Sequence, residues 1–249
     1  MAEPLLALDR VTKSFGALRV TDEVSLDISK GELHALIGPN GAGKTSLINQ
    51  LSGSFASDSG RIVFDGEDVT DLPMHARARR GLVRSFQVTS ILPRFTALEN
   101  VALAAQSRFG SSLRFFGNAA RESRLNEGAM EALAELGLAE RAHRFAGTLS
   151  HGEKRRLELA IALALKPKLL LLDEPMAGAG ASESEALVGT LSALKGGCTI
   201  LLVEHDMQAV FALADRISVL VNGGVIATGT PDEVRSDAQV RSAYLGEAG

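Results

Sequence analysis

Three groups of residues have the types and spacing to do chemistry. The first is Gly38-Pro39-Asn40-Gly41-Ala42-Gly43-Lys44-Thr45, with Ser46 after it. The apolar run His34-Ala35-Leu36-Ile37 precedes it, and Leu47, Ile48 and Leu51 follow at helical spacing. That is strand, glycine turn and helix around the spacing G-x-x-x-x-G-K-[ST]. The glycines remove side chains where backbone N–H groups must curl around phosphate oxygens. The helix start adds free N–H groups and a positive dipole end. Lys44 supplies a charge for β- and γ-phosphates, and Thr45 a hydroxyl for Mg2+.

The second group is Asp173-Glu174 at the end of Leu169-Leu170-Leu171-Leu172. Neighbouring strand residues point opposite ways, so the two acids do different work. Asp173 suits Mg2+, directly or through water, and Glu174 suits a water attacking the γ-phosphate in line. Alone, the pair reads equally well as a solvated strand end; the phosphate cradle upstream decides. The third is His205, just past the apolar run 199–203. A lone histidine is usually structural or on the surface. Here it sits at the C-terminal edge of a parallel sheet, where ligands bind, and reads as a γ-phosphate sensor.

Three weaker signals surround these. Gln87, in Arg84-Ser85-Phe86-Gln87, is either a plain polar residue at a boundary or an amide that completes Mg2+ coordination or holds the attacking water. Phe15 is core-like by type but could stack on an adenine. Leu149-Ser150-His151-Gly152-Glu153 reads as a capped helix start, with Ser150 and Glu153 as a capping box. It is also a second anion site, best used by another subunit's nucleotide because the first cradle already serves this chain's own.

The elements that must position these residues follow from patterning. Residues 5–11 and 24–28 alternate as strands around a turn at Ser14-Phe15-Gly16, and 61–64 is a further strand. They predict an antiparallel β layer beside a core whose central parallel strands are 34–37, 169–172 and 199–203. Between 73 and 166 strand signals nearly vanish; helices are expected over 96–106, 127–136 and 150–165, with a loop-like insertion at 107–118. Helices are also expected over 182–195 and 207–214, then a hairpin over 217–227. Thr230-Pro231-Asp232-Glu233 caps a final helix expected to reach about Tyr244.

Composition closes off other classes. The 249-residue chain has a net charge of −4 and no dominant basic face, which argues against duplex nucleic acid as its main partner. Cys198 is its single cysteine, which excludes a disulfide framework and points to a reducing compartment. Residues 1–10 carry acids and no apolar core, so no signal peptide is expected. Nor is there a run of about 20 apolar residues to span a bilayer.

Taken together, the motifs resemble those of the ATP-binding-cassette (ABC) ATPases, in that family's order. Phe15 stands at the A-loop, Gly38 to Thr45 at Walker A and Gln87 at the Q-loop. LSHGE (Leu149 to Glu153) resembles the signature LSGGQ; LLLLDEP resembles Walker B, and His205 the switch histidine. The resemblance implies ATP and Mg2+ as ligands, with Thr45, Gln87 and Asp173 toward the metal. It implies a single domain over 1–249: an α/β P-loop cassette fold with an antiparallel β layer (1–87 and 167–249) and an inserted α-helical subdomain at about 88–166. By resemblance, two cassettes pair head to tail, as homodimer or heterodimer, with each ATP between one Walker A and the other signature. RSFQ, the insertion, RRLELA, VEHDM and the ending AYLGEA are similar to the larger ATPase of branched-chain amino acid importers and of related urea and amide importers. That implies two integral-membrane permease subunits docked beside Gln87 and the helical segment, a periplasmic or extracellular solute-binding protein, and a peripheral place on the cytoplasmic membrane face. The alternatives are an exporter cassette and a soluble cassette acting as a nucleotide-gated interaction module. Three positions depart from the family pattern: His151 and Glu153 replace Gly and Gln in the signature, and Gly180 stands where the D-loop usually has Asp or Asn.

Overall fold

The computed structural model describes residues 3–85, 91–107 and 119–245. Gln87 and the insertion residues Leu113, Phe115 and Phe116 lie outside them. In chain order the elements are β1 (Leu6–Phe15), β2 (Leu18–Ile28), β3 (Leu33–Ile37), α1 (Lys44–Ser52), β4 (Ser59–Phe64), β5 (Glu67–Asp68), α2 (Met74–Arg80) and β6 (Leu82–Arg84). Next come α3 (Ala97–Ser107), α4 (Ala119–Glu135), α5 (His151–Ala164), β7 (Leu169–Asp173), α6 (Ala181–Leu194), β8 (Thr199–Val203) and α7 (Met207–Leu213). The chain closes with β9 (Arg216–Val221), β10 (Gly224–Gly229), α8 (Pro231–Ser236) and α9 (Ala238–Val240).

Two sheets result. One is antiparallel, in the order β2-β1-β4-β5. The other runs β10-β9-β3-β8-β7-β6 and is parallel except for the hairpin strand β10. The four leucines of β7 show why an unbroken apolar run is needed at its centre. Leu169 and Leu171 pack with Leu47, Ile48 and Leu51 of α1 and with Leu6, Ile28 and Phe64 of the antiparallel sheet. Leu170 and Leu172 pack on the opposite face, against Leu133 of α4, Leu157 of α5 and Leu191 of α6. A strand buried on both faces cannot alternate. Thus α1 lies between the two sheets, and the helical segment lies across the parallel sheet.

Four expectations need correction. β6 is a parallel edge strand paired with β7 inside the stretch expected to be helical. With three residues it is too short to show a period, and only its place beside β7 makes it a strand. The final helix is not continuous to Tyr244: Asp237 accepts hydrogen bonds from the Gln239 and Val240 N–H groups and starts a separate turn. Phe15 ends β1 rather than lying in the turn, which falls at Gly16-Ala17. α4 begins at Ala119, eight residues earlier than expected at 127.

Candidate active site

The glycine turn after β3 is required by its neighbours. Gly43 has φ 105°, and a Cβ there would lie 2.0 Å from the Val20 carbonyl oxygen. Gly38 has φ 152°, and its Cβ would lie 2.0 Å from the Leu220 carbonyl oxygen. The β1–β2 hairpin and β9 therefore press directly on the turn. α1 starts at Lys44 with no side-chain cap and no acidic residue in its first turn. Its leading N–H groups keep their affinity for an anion. The Lys44 ammonium is buried and donates to the Gly38 and Pro39 carbonyls at 2.7 and 3.0 Å. Burial pushes its pKa down, while the Glu174 and Asp173 carboxylates pull it back up. Asn40 and Thr45 are exposed beside it, with Pro39 and Ser46 half-buried.

Asp173 ends β7. Its Oδ2 accepts from Arg84 Nη2 at 2.9 Å, while its Oδ1 is buried without a hydrogen-bond partner. Burial raises the carboxyl's pKa and the Arg84 guanidinium opposes that rise. Arg84 also donates to Asn49 Oδ1 on α1, so one guanidinium ties β6, α1 and β7 together. Nothing local in the sequence marked Arg84 for this, because its acid lies 89 residues away.

Glu174 turns out of the strand with φ 49°, unusual for a residue with a side chain. Its N–H donates to the Val203 carbonyl at 2.8 Å. This turn sends the adjacent acids in different directions. It leaves Glu174 Oε1 4.0 Å from His205 Nδ1, while Asp173 stays in the sheet. Asp206, next to the histidine, caps α7 by accepting from the Gln208 and Ala209 N–H groups.

Phe15 is 52% exposed at the tip of β1 and meets Phe55 edge-to-face, with centroids 5.4 Å apart. Lys13 Nζ sits 5.5 Å from the Phe15 ring centroid and is held by Asp58 at 2.6 Å. The exposed ring and the glycine turn belong to one unit, since Val20, which presses on Gly43, is in the strand paired with β1.

The Ser150–Glu153 turn is separate and self-contained. Both halves of its capping box form: Ser150 Oγ accepts from Glu153 N at 3.2 Å, and Glu153 Oε2 accepts from Ser150 N at 2.9 Å. Arg141 Nε donates to the other carboxylate oxygen at 2.8 Å. The Arg141 guanidinium, then the Ser150 N–H, hold the Glu153 carboxyl down at about 2. Glu153 is thus ionised but internally neutralised. His151 is exposed at the helix start, and Gly152 lies near Glu183 of α6, whose Oε1 would be 3.0 Å from an added Cβ. At Gly180 the chain enters α6 without a side-chain cap. A cavity of about 440 Å3 lies elsewhere, lined by His75 and Arg79 of α2 and Lys166 past α5, and by none of these site residues.

The model of the family described as "ABC transporter" matches residues 21–177, which is more than half of the chain and includes the glycine turn, the signature-like turn and the Asp173-Glu174 pair. The chain belongs to the ABC transporter family. A second model, "branched-chain amino acid ATP-binding cassette transporter", matches residues 225–249 of this cassette. The cassette is 38% identical to the high-affinity branched-chain amino acid transport ATP-binding protein BraF of Pseudomonas aeruginosa, over 100% of both chains. It is 35% identical to the lipopolysaccharide export system ATP-binding protein LptB of Haemophilus influenzae, over 98% of both. Among solved structures, the ADP conformation of an ABC transporter cassette superposes with TM-score 0.85 at 30% identity, covering 98% of this chain and 100% of that one. A dimeric cassette in a post-hydrolysis state with ADP and Pi superposes with TM-score 0.76 at 26% identity, covering 91% and 98%. The cassette is therefore a nucleotide-binding ATPase with the expected mixed α/β fold, and its family's partners are a second cassette and permease subunits. Among the described residues no helix is long and apolar enough to cross a membrane.

Proposed function

We propose that this cassette hydrolyses Mg-ATP to drive uptake of branched-chain or related amino acids through separate permease subunits. The observation that carries the chemistry is the Asp173 carboxylate. One oxygen is held by Arg84, and the other is buried and unpartnered at the end of β7, where the carboxylate's charge acts on the Lys44 ammonium. An orphan buried acceptor of this kind fits a divalent cation held with the exposed Thr45 hydroxyl and with Gln87. Bound there, Mg2+ would neutralise charge on the β- and γ-phosphates. Full-length similarity to BraF and the match at 225–249 support import rather than export.

The chain's own residues divide the work. The Gly38 to Ser46 backbone and the α1 N-terminus receive the phosphates, and Phe15 offers its exposed face to the adenine. Lys44 is already desolvated, so its charge acts at full strength on the γ-phosphate. Glu174 orients and polarises the attacking water, with Gln87 beside that water or on the metal. His205, 4.0 Å from Glu174, contacts the γ-phosphate and reports its loss. Ser150, His151, Gly152 and Glu153 serve the nucleotide of a second cassette. Neutralisation of Glu153 by Arg141 lets that turn face a polyanion despite its carboxylate. The proposed organisation is one domain over 1–249, with residues 1–87 and 167–249 as core and β layer and about 88–166 as the helical subdomain. The permease docks beside Gln87 at the cytoplasmic membrane face, and a solute-binding protein acts across the membrane.

The test is a Glu174→Gln cassette assembled with its permease. It should bind ATP and pair with a second cassette, yet show no turnover. Undiminished hydrolysis refutes the role of Glu174. Failure of the wild-type chain to sediment with any permease refutes transport.

A further inference from the structure

Glu204 is fully buried, and the chemistry above does not use it. It lies between β8 and His205, with 0% of its surface exposed. Its two carboxylate oxygens each accept one backbone N–H: Oε1 from Met176 at 2.7 Å and Oε2 from His205 at 3.0 Å. Among the described residues, its only ion-pairing contact within 4 Å is the His205 imidazole, at 3.8 Å. A buried carboxylate without a cation is costly, and an apolar residue would fill the same space more cheaply. Its two bonds reach two segments that carry site residues.

The first segment is the turn after Asp173. Glu174 has φ 49°, a conformation that persists in a non-glycine residue only when its surroundings over-determine it. The ends of that turn are anchored to consecutive residues. Glu174 N–H donates to the Val203 carbonyl at 2.8 Å, and Met176 N–H donates to Glu204. Pro175, with its restricted φ, lies between. The second segment begins at His205, whose main chain is held by the other oxygen of the same carboxylate.

We propose that Glu204 is a positioning residue for ATP hydrolysis: its carboxylate clamps the Glu174 turn and the His205 main chain together, setting their separation. The inference rests on the roles of Glu174 and His205 given above. No part of it requires Glu204 to touch the nucleotide.

Glu204→Gln tests it with little change of volume. The amide nitrogen cannot accept, so one of the two N–H groups loses its partner. With the cassette assembled on its permease, kcat should fall about tenfold or more while KM for ATP changes less than about threefold, as expected when a transition-state arrangement is lost and ground-state binding kept. Hydrogen exchange at Met176 and His205 should accelerate, with the α1 amides unchanged. A kcat within twofold of wild type overturns the clamp; so does exchange accelerated equally throughout the core. If the variant does not fold, the wild type still decides. Its Met176 amide lies outside any helix or strand and should exchange as slowly as amides within β8; a fast-exchanging amide overturns the proposal. Glu174→Gln is the parallel control. Should it retain full turnover, the underlying reading of Glu174 falls; should it be inactive while Glu204→Gln is fully active, the clamp alone falls.

Discussion

Replacing Arg77 by methionine should lower the melting temperature by about 6–12 °C, at about 2–4 °C per kcal/mol for a chain of this size. Arg77, on α2, is 1% exposed, and its guanidinium donates to four main-chain carbonyls. Nη1 reaches Gln50 and Leu51 at 2.6 and 2.9 Å, Nε reaches Leu72 at 2.8 Å, and Nη2 reaches Thr70 at 2.7 Å. Gln50 and Leu51 belong to the last turn of α1, which carries no basic residue of its own; the Gln50 carbonyl also accepts from the Gly53 N–H at 3.1 Å. Methionine keeps the volume and removes every donor. At about 1–1.5 kcal/mol for each of the four hydrogen bonds lost from a charged donor, the gross loss is about 5 kcal/mol. Relief from burying a guanidinium returns about 2 kcal/mol, leaving a net loss of about 3 kcal/mol. Scanning calorimetry of the nucleotide-free chain reads this directly. Arg77→Lys should recover part of the loss, because an ammonium still donates up to three hydrogen bonds. A decrease below about 2 °C for methionine, under 1 kcal/mol on the same scale, would show that water replaces the guanidinium and refute its role as the α1 anchor.

Gly43→Ala should weaken nucleotide binding by about 100-fold or more, a cost of about 2.7 kcal/mol, because its Cβ meets the Val20 carbonyl at 2.0 Å. Gly41→Ala, which faces open space, should cost less; equal effects in equilibrium titration with a fluorescent ATP analogue would sink this account. Arg141→Ala should reduce stability at neutral pH by releasing Glu153. The Glu153 pKa is lowered in the folded state, from an ordinary 4.5 to about 2. Its contribution is therefore complete above pH 4.5 and is lost as pH falls toward 2. In urea titrations across pH 2–7, the gap between wild type and Arg141→Ala should be widest above pH 5 and close toward pH 2. A gap independent of pH contradicts it.

Much of the site was legible because its parts are local. The glycine turn, the acids at the end of β7 and the two capping boxes at Ser150 and Thr230 depend on spacings of a few residues. Backbone sterics and short-range hydrogen bonds enforce such spacings in any fold that forms the element. The leucine run of β7 was readable for a related reason, since a strand covered on both faces has to be apolar throughout. β6 and the break at Asp237 were not read correctly. One is too short to carry a period, and the other depends on a single cap inside an otherwise helical stretch.

The sequence by itself determined the local elements: the strand, glycine turn and helix around Lys44, the apolar run that ends in Asp173 and Glu174, and the capping box at Ser150. Only the tertiary structure decided how those residues are held. Arg84 reaches Asp173 across 89 residues, Glu204 reaches Met176 across 28, and Arg141 reaches Glu153 across 12. These pairings depend on which strands lie side by side and where loops return. Strand order is a property of the packed sheet, set by burial of both its faces, and no local spacing encodes it.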